Sequence, residues 1–332
     1  MRDVARELGI SVVTVSKALA GKEGVGEQLR QKIVRKAAEL GYVYNNLPRN
    51  LLYGRNYNIG VLVSSRYLGF SSFYWRFLKQ LLVALKKTAY SALLEIVEAD
   101  EEAGAVIPSF IRDNKADGVI VLGQFSDTYL SFIAEQTKKR VFLDFYSEIG
   151  STDCIATNNF LGSYNLTKLL IEAGHEKIGF IGSPKATTSI LDRYVGFCKA
   201  MLEAALPYDA AIEDRDARGV YLDQMDIRPE HYTAYVCNND QLAGAVISNL
   251  RGRGCRVPED ISLAGFDNDN ETVTAGVGVT SFEVNIQAMC DAALRALIGH
   301  IESDDYKPQG VLLIDGRIVE KASIARQKRN KT

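Results

Sequence analysis

The chain has 332 residues, 47% of them hydrophobic and 24% charged, which is enough to build two or three domains around a sizeable core. Its net charge of −2 excludes a uniformly basic nucleic-acid coat. The five cysteines (154, 198, 237, 255, 290) are scattered and odd in number, without metal-ligand spacing, which favours reduced thiols over a disulfide framework. No apolar run reaches membrane-spanning length, and the first residues lack the apolar core of a secretion signal, so the expected setting is cytoplasmic, away from membranes.

Charge is uneven along the chain. Residues 1–57 carry ten Lys/Arg against five Asp/Glu, a surplus of five that leaves −7 on the remainder. A basic head on an acidic body suits a DNA-binding module joined to a separate domain.

Residues 2–8, RDVAREL, predict a short helix with Val4, Ala5 and Leu8 on one face. Gly9 ends it, and Ser11 is placed to cap a second helix from Val12. In that helix Val15 and Leu19 face inward. Val13 and Lys17 face out, with Thr14 and Ser16 on the flanks. An outer surface of methyls, hydroxyls and one cation suits DNA: hydroxyls reach phosphates, Lys reaches guanine, and methyls meet the thymine methyl. The pattern reads as a helix-turn-helix. A plain amphipathic bundle would share the inner stripe. A third helix over about 26–40 carries Leu29, Ile33, Ala37 and Leu40, and an Asn-rich linker with Pro48 follows.

From Ile59 the texture alternates. Strands are predicted at 58–64, 92–97, 117–123, 140–146, 154–158, 177–183, 234–240 and 261–267. Helices fill most gaps, among them 74–88, 160–173, 192–204 and 240–252. Such alternation gives an α/β class with two parallel, doubly wound sheets. Ligands bind beyond the carboxyl ends of such strands, which puts Asp144, Ser183, Asn239 and Asp267 at the rim.

Eight stretches carry a family resemblance: RDVARELGISVVTVSKAL, GYVYNNLPRNLLYGR, NIGVLVS, EAGHEKIGFIGSP, DRYVGF, CNNDQLAGAV, VPEDISLAGFDN and VTSFEVN. Together they resemble the lactose-repressor/galactose-repressor family of bacterial transcription regulators, over essentially the whole chain. The resemblance implies a helix-turn-helix headpiece (1–43), a hinge helix (44–57) and a periplasmic-binding-protein-like core (58–332). The core would divide into one subdomain of about 58–157 and 286–316 and another of about 158–285 and 317–332. It implies a homodimer on double-stranded operator DNA, controlled by a small-molecule effector, most often a sugar or sugar derivative, with no cofactor.

By the same resemblance Val12, Val13 and Lys17 match base-reading positions, and Ser11, Thr14 and Ser16 match phosphate contacts. Arg30, Tyr42 and Asn45 complete the DNA-facing set, and Leu51 matches a leucine that wedges into the minor groove. Phe73 and Tyr74 match aromatics at the cleft mouth. Asp144, Ser189, Arg193, Asn239 and Asp267 match cleft residues that hold the effector. Several positions depart from the family pattern: Ala20 replaces a common Asn, Gly26 and Leu29 replace the usual Ser and Thr, and Pro48 replaces Ala. The stretch SSRYLGFSSFYW is longer than the usual loop, which puts Tyr67, Phe70 and Trp75 within reach of the cleft. The resemblance also implies a few residues ahead of the position of Arg2.

Three other readings share these features. A transporter's solute-binding protein explains the core but not the basic head. An enzyme would need an acid/base pair such as Asp144 and Asp267, yet GxSxG, GxxxxGK[ST] and HExxH are absent. The three histidines (175, 231, 300) are scattered, and His175 fits a turn. A purine, a nucleoside or a partner protein could replace the sugar as effector. Inward Arg193 and Asp267 could instead pair only to hold the subdomains together.

Overall fold

The computed structural model describes residues 1–19, 23–40, 55–69, 72–216, 221–222, 225–269 and 276–327. The chain divides into two compact units, Met1–Asn56 and Tyr57–Thr332.

The first unit has helices α1 (Arg2–Leu8), α2 (Val12–Leu19) and α3 (Glu27–Glu39). Gly9 sits at φ 62, a left-handed turn open to glycine, and its amide donates to the Arg6 carbonyl. Ser11 caps α2 as its sequence position predicts, its Oγ accepting from the Thr14 amide at 3.0 Å. The core is small: Val4, Ala5, Val15, Ala18, Ile33 and Ala37. Burying Val15 or Ile33 contributes roughly 1.5–3 kcal/mol each. The inner face of α2 is therefore Val15 and Ala18, and Leu19 is only half-buried. From α3, Arg30 reaches across to the Ala18 carbonyl at 3.1 Å.

The second unit holds two sheets. Six parallel strands form the first, in the order β10-β5-β4-β3-β1-β2. They are β1 (Asn58–Ser64), β2 (Ser91–Val97), β3 (Gly118–Leu122), β4 (Arg140–Leu143), β5 (Asp153–Thr157) and β10 (Val311–Ile314). The second sheet runs β11-β9-β8-β7-β6. It comprises β6 (Ile178–Ile181), β7 (Ala234–Cys237), β8 (Ser262–Phe266), β9 (Thr280–Glu283) and β11 (Arg317–Val319). Among the described strands only β11 runs antiparallel, against β9. The helices are α4 (Phe73–Leu85), α5 (Ala99–Ala103), α6 (Ser109–Arg112), α7 (Asp127–Gln136), α8 (Asn159–Glu172), α9 (Thr188–Glu203), α10 (Asp240–Gly252) and α11 (Ile286–Glu302).

Successive strand residues feed opposite faces, as the pleat requires. In the first sheet Val61, Val63, Ile120 and Leu122 pack with α4 and α11, whereas Leu62, Val119 and Val121 pack with α6 and α7. In the second, Phe180, Val236 and Phe266 meet α8 and α9, while Tyr235 and Leu263 meet α10. Covering on both faces explains why the strands read as nearly continuous apolar runs. The expected doubly wound α/β class is what the chain adopts. The chain passes between the two lobes after β5, after β9 and after β10. Among the described residues no helix is long and apolar enough to cross a membrane.

Candidate functional site

The carboxyl ends of β4 and β8 face each other across the lobes, and each carries an aspartate in a strained turn. Asp144 follows β4 at φ 74, and Asp267 follows β8 at φ 96. For non-glycine residues this backbone costs of order 1–3 kcal/mol, which the surrounding structure must over-determine. Both are 6% exposed. On the first lobe, the hydroxyl of Tyr74 donates to Asp144 Oδ2 at 2.8 Å. Tyr67 stacks on Tyr74, ring centres 4.6 Å apart.

On the second lobe, α9 delivers Arg193, itself buried. Its Nε donates to Asn159 Oδ1 at 2.8 Å and its Nη1 to the Asn238 carbonyl at 2.7 Å. Its guanidinium lies 3.7 Å above the Phe266 ring centre, and its Nη2 stands 3.7 Å from Asp267 Oδ1. All four partners belong to the second lobe. The Arg193–Asp267 pair therefore does not clamp one lobe to the other.

Other groups do. Ser189 donates to the Asp144 carbonyl at 3.1 Å, and Tyr146 to Asp192 Oδ1 at 2.8 Å. Thr188 donates to Gln124 Oε1, Arg76 to the Asp267 carbonyl, and Ser72 to Asp269 Oδ1.

Burial pushes the Asp144 carboxyl up to about 7, outweighing the Tyr74 hydrogen bond and the positive charge of Arg193. Burial likewise raises Asp267 to about 6 against the pull of Arg193 and Arg76. A guanidinium at 3.7 Å is too far to offset the lost hydration. Asp144 Oδ1 and Asp267 Oδ1 have no hydrogen-bond partner among the described residues. Two acceptors waiting for donors, beside a fixed guanidinium and an aromatic wall, can hold a ligand rich in hydroxyl groups.

In the first unit, Val12 and Val13 are 41% and 65% exposed, and Lys17 is exposed beside them. Ser11 Oγ and Thr14 Oγ1 lie 2.8 Å apart on the same surface, and Ser16 is half-buried. Arg30 is engaged with Ala18 and stands 3.7 Å from Glu27, so it braces α2 against α3. Tyr42, Asn45 and Leu51 lie outside the described residues.

A model of bacterial regulatory proteins of the lacI family matches residues 1–45, and a periplasmic binding protein-like domain matches residues 167–324. The HTH-type transcriptional regulator RegA of Clostridium saccharobutylicum is 27% identical over 97% of this chain and 98% of its own length. The chain belongs to the lacI family. It is a DNA-binding transcriptional regulator of that family. The repressor PurR of Klebsiella pneumoniae (strain 342) is 26% identical over 98% of this chain and 96% of its own. In fold, this lacI-family chain is similar to a lac repressor dimer bound to operator and the anti-inducer ONPF. The TM-score is 0.76 at 20% identity, over 97% of this chain and 98% of that one. It is also similar to a CelR–cellobiose complex, with TM-score 0.68 and 22% identity over 96% and 98%.

Of the site residues expected from the sequence, Tyr74, Asp144, Ser189, Arg193 and Asp267 lie together in this core. Phe73 does not reach the cleft mouth. It is buried, edge-on to Tyr74 and Phe77, because the inward stripe of α4 begins with it. Asn239 caps α10, its Oδ1 accepting from the Leu242 amide at 2.8 Å, and its amide stands 3.4 Å from the Tyr221 hydroxyl. Its neighbour Asn238 meets Arg193 instead. Asn159, Asn238, Phe266 and Gln124 escaped the sequence reading. A pair of asparagines ending β7 was the one available signal.

Proposed function

We propose that this regulator binds double-stranded operator DNA as a homodimer and that its operator affinity is set by a sugar or sugar derivative held between the lobes. The effector would lie on Asp144, Ser189, Arg193 and Asp267, with Tyr67 and Tyr74 at the mouth. The observation that carries this reading is the pair of buried carboxylates with unpartnered oxygens beside a fixed guanidinium. Hydroxyl groups donate and accept at once, so a polyol satisfies all three. Among the structural neighbours, one is a complex with cellobiose and another holds bound ribose.

In this reading residues 1–43 read the DNA and 44–57 form the hinge. Two α2 helices enter successive major grooves, with Val12 and Val13 against thymine methyls and Lys17 at a base edge. The second copy would cover the apolar side chains of Leu82 and Val83 on α4 and Leu94 and Ile96 on edge strand β2, all exposed in the single chain. The protein acts on the chromosome, in the cytoplasm. Effector binding alters the lobe-to-lobe bonds of Ser189, Thr188, Tyr146 and Arg76, and linkage makes DNA and effector change each other's affinity by one common factor.

A thermal-shift screen of the purified protein against sugars, sugar phosphates, nucleosides and purines tests the reading. A ligand of the folded state raises the melting temperature by mass action. A sugar hit is expected, erased by Arg193→Ala. Hits confined to purines or nucleosides would overturn the sugar assignment and favour the flat Tyr67–Tyr74 stack as the platform.

A further inference from the structure

The cleft is not an empty receptacle. Tyr74 is the second residue of α4 and sends its hydroxyl onto Asp144 Oδ2 at 2.8 Å, the place where an effector hydroxyl would donate. Its ring is held by Tyr67, whose own hydroxyl donates to the Gln124 carbonyl at 2.5 Å. Both rings lie against the bare backbone of Gly123 at φ 78, where an added Cβ would stand 2.8 Å from Tyr67 and 3.0 Å from Tyr74. The side chain of Gln124 in turn accepts from the Thr188 amide of the second lobe at 2.9 Å. Tyrosine, glycine and glutamine thus make one connected plug that spans the cleft.

We propose that Tyr74 is an internal occupant of the effector cleft: it satisfies Asp144 in place of the effector, and the effector binds by displacing it. The proposal rests on the effector reading above and assigns Tyr74 a new part in it. Tyr74 competes with the ligand instead of adding a contact to it, and Tyr67 sets how hard it competes. Ligands without a donor strong enough to replace a phenol on Asp144 are rejected. Tyr67 and Tyr74 thereby act as a specificity filter.

The neighbouring residue supplies the means of observation. Trp75 is the single tryptophan of the chain, half exposed, with its indole Nε1 donating to the Leu68 carbonyl at 3.2 Å within the same segment. Trp75 follows Tyr74 on α4, so displacement of Tyr74 is expected to change its emission.

The experiment measures binding of cellobiose, ribose and a set of neutral monosaccharides and disaccharides by thermal shift, with Trp75 emission recorded in parallel. It uses the full chain, Tyr74→Phe, Tyr67→Phe and Arg193→Ala. Tyr74→Phe keeps the ring and removes only the competing donor. It is expected to bind the same sugar about tenfold more tightly than the unaltered chain, the order of one hydrogen bond to a charged group. Tyr67→Phe is expected to tighten binding by less. Sugar should change Trp75 emission in the unaltered chain. A sugar that binds Tyr74→Phe alone also supports the plug. Equal or weaker binding by Tyr74→Phe, or binding with unchanged Trp75 emission, overturns the plug while leaving the effector site standing. If no sugar binds any of the chains, the effector reading fails and the plug falls with it.

Discussion

Replacing Asp144 by Asn should change how stability depends on pH, and the size follows from its burial. The Asp144 carboxyl is pushed from the ordinary 3.8 up to about 7 by burial. Between those values the folded chain holds a proton that the unfolded chain has released. Stability therefore falls as pH rises from about 4 to about 7, and the loss is complete above the folded value. Each pH unit in that interval is worth about 1.4 kcal/mol, so the interval amounts to roughly 4 kcal/mol. Asparagine has no such proton. Asp267 and Asp240, raised by burial to about 6 and about 7, titrate in the same direction in both chains and largely cancel in the difference. The charge shared between Asp144 and Asp267 trims the figure. Urea unfolding at pH 4 to 8, followed by Trp75 emission and circular dichroism, should show Asp144→Asn gaining on the unaltered chain by up to that amount. Parallel curves would mean that water reaches Asp144 in solution, and the argument from burial would be refuted.

Arg193→Ala should abolish effector binding while the chain still folds and binds DNA; lost folding would make the cradle of Asn159, Asn238 and Phe266 purely structural. Lys17→Ala should cost about 1–3 kcal/mol at one base position and relax choice there, read by selection from a random DNA pool. An even loss on all sequences would make Lys17 a phosphate contact. Ile33→Ala removes a fully buried side chain from a six-residue core and should cost about 2–5 kcal/mol, enough to lose DNA binding while effector binding survives. Leu94→Asp should convert the dimer to monomer in sedimentation and weaken operator binding; an unchanged dimer would place the interface elsewhere.

Much of this was legible in the sequence because it is local. β1 at 58–64 and α10 at 240–252 end where the pattern changes, and Gly9 and Ser11 punctuate the first helices by their own chemistry. The strands 280–283, 311–314 and 317–319 were not named, for identifiable reasons. TSFE has three polar residues of four, VLLI has no buried face to impose alternation, and RIV is three residues long. In the site, Asp144 and Asp267 were visible as acids closing apolar strands. Their left-handed backbone was not, because nothing in the neighbouring residues requires it. Asn159 sits 34 residues before Arg193, and only the pairing of α8 with α9 makes them partners. Phe73 and Tyr74 show the same limit: adjacent aromatics, one sent to the core and one to the cleft by a helical rotation.

The threefold crossing between lobes also governs when the protein can fold as it is made. Five strands of the first sheet have emerged by Thr157, yet α11, which covers β3, β4 and β5, begins at Ile286. The sixth strand and the last strand of the second sheet arrive together at 311–319. At about 5–20 residues per second, the nascent first sheet waits about 6–26 s with the part of that face not covered by α4 still bare. Neither lobe can close before residues 311–319 have been made, so a ribosome-bound chain should depend on chaperones over this stretch far more than over helices α1 to α3, which end at Glu39.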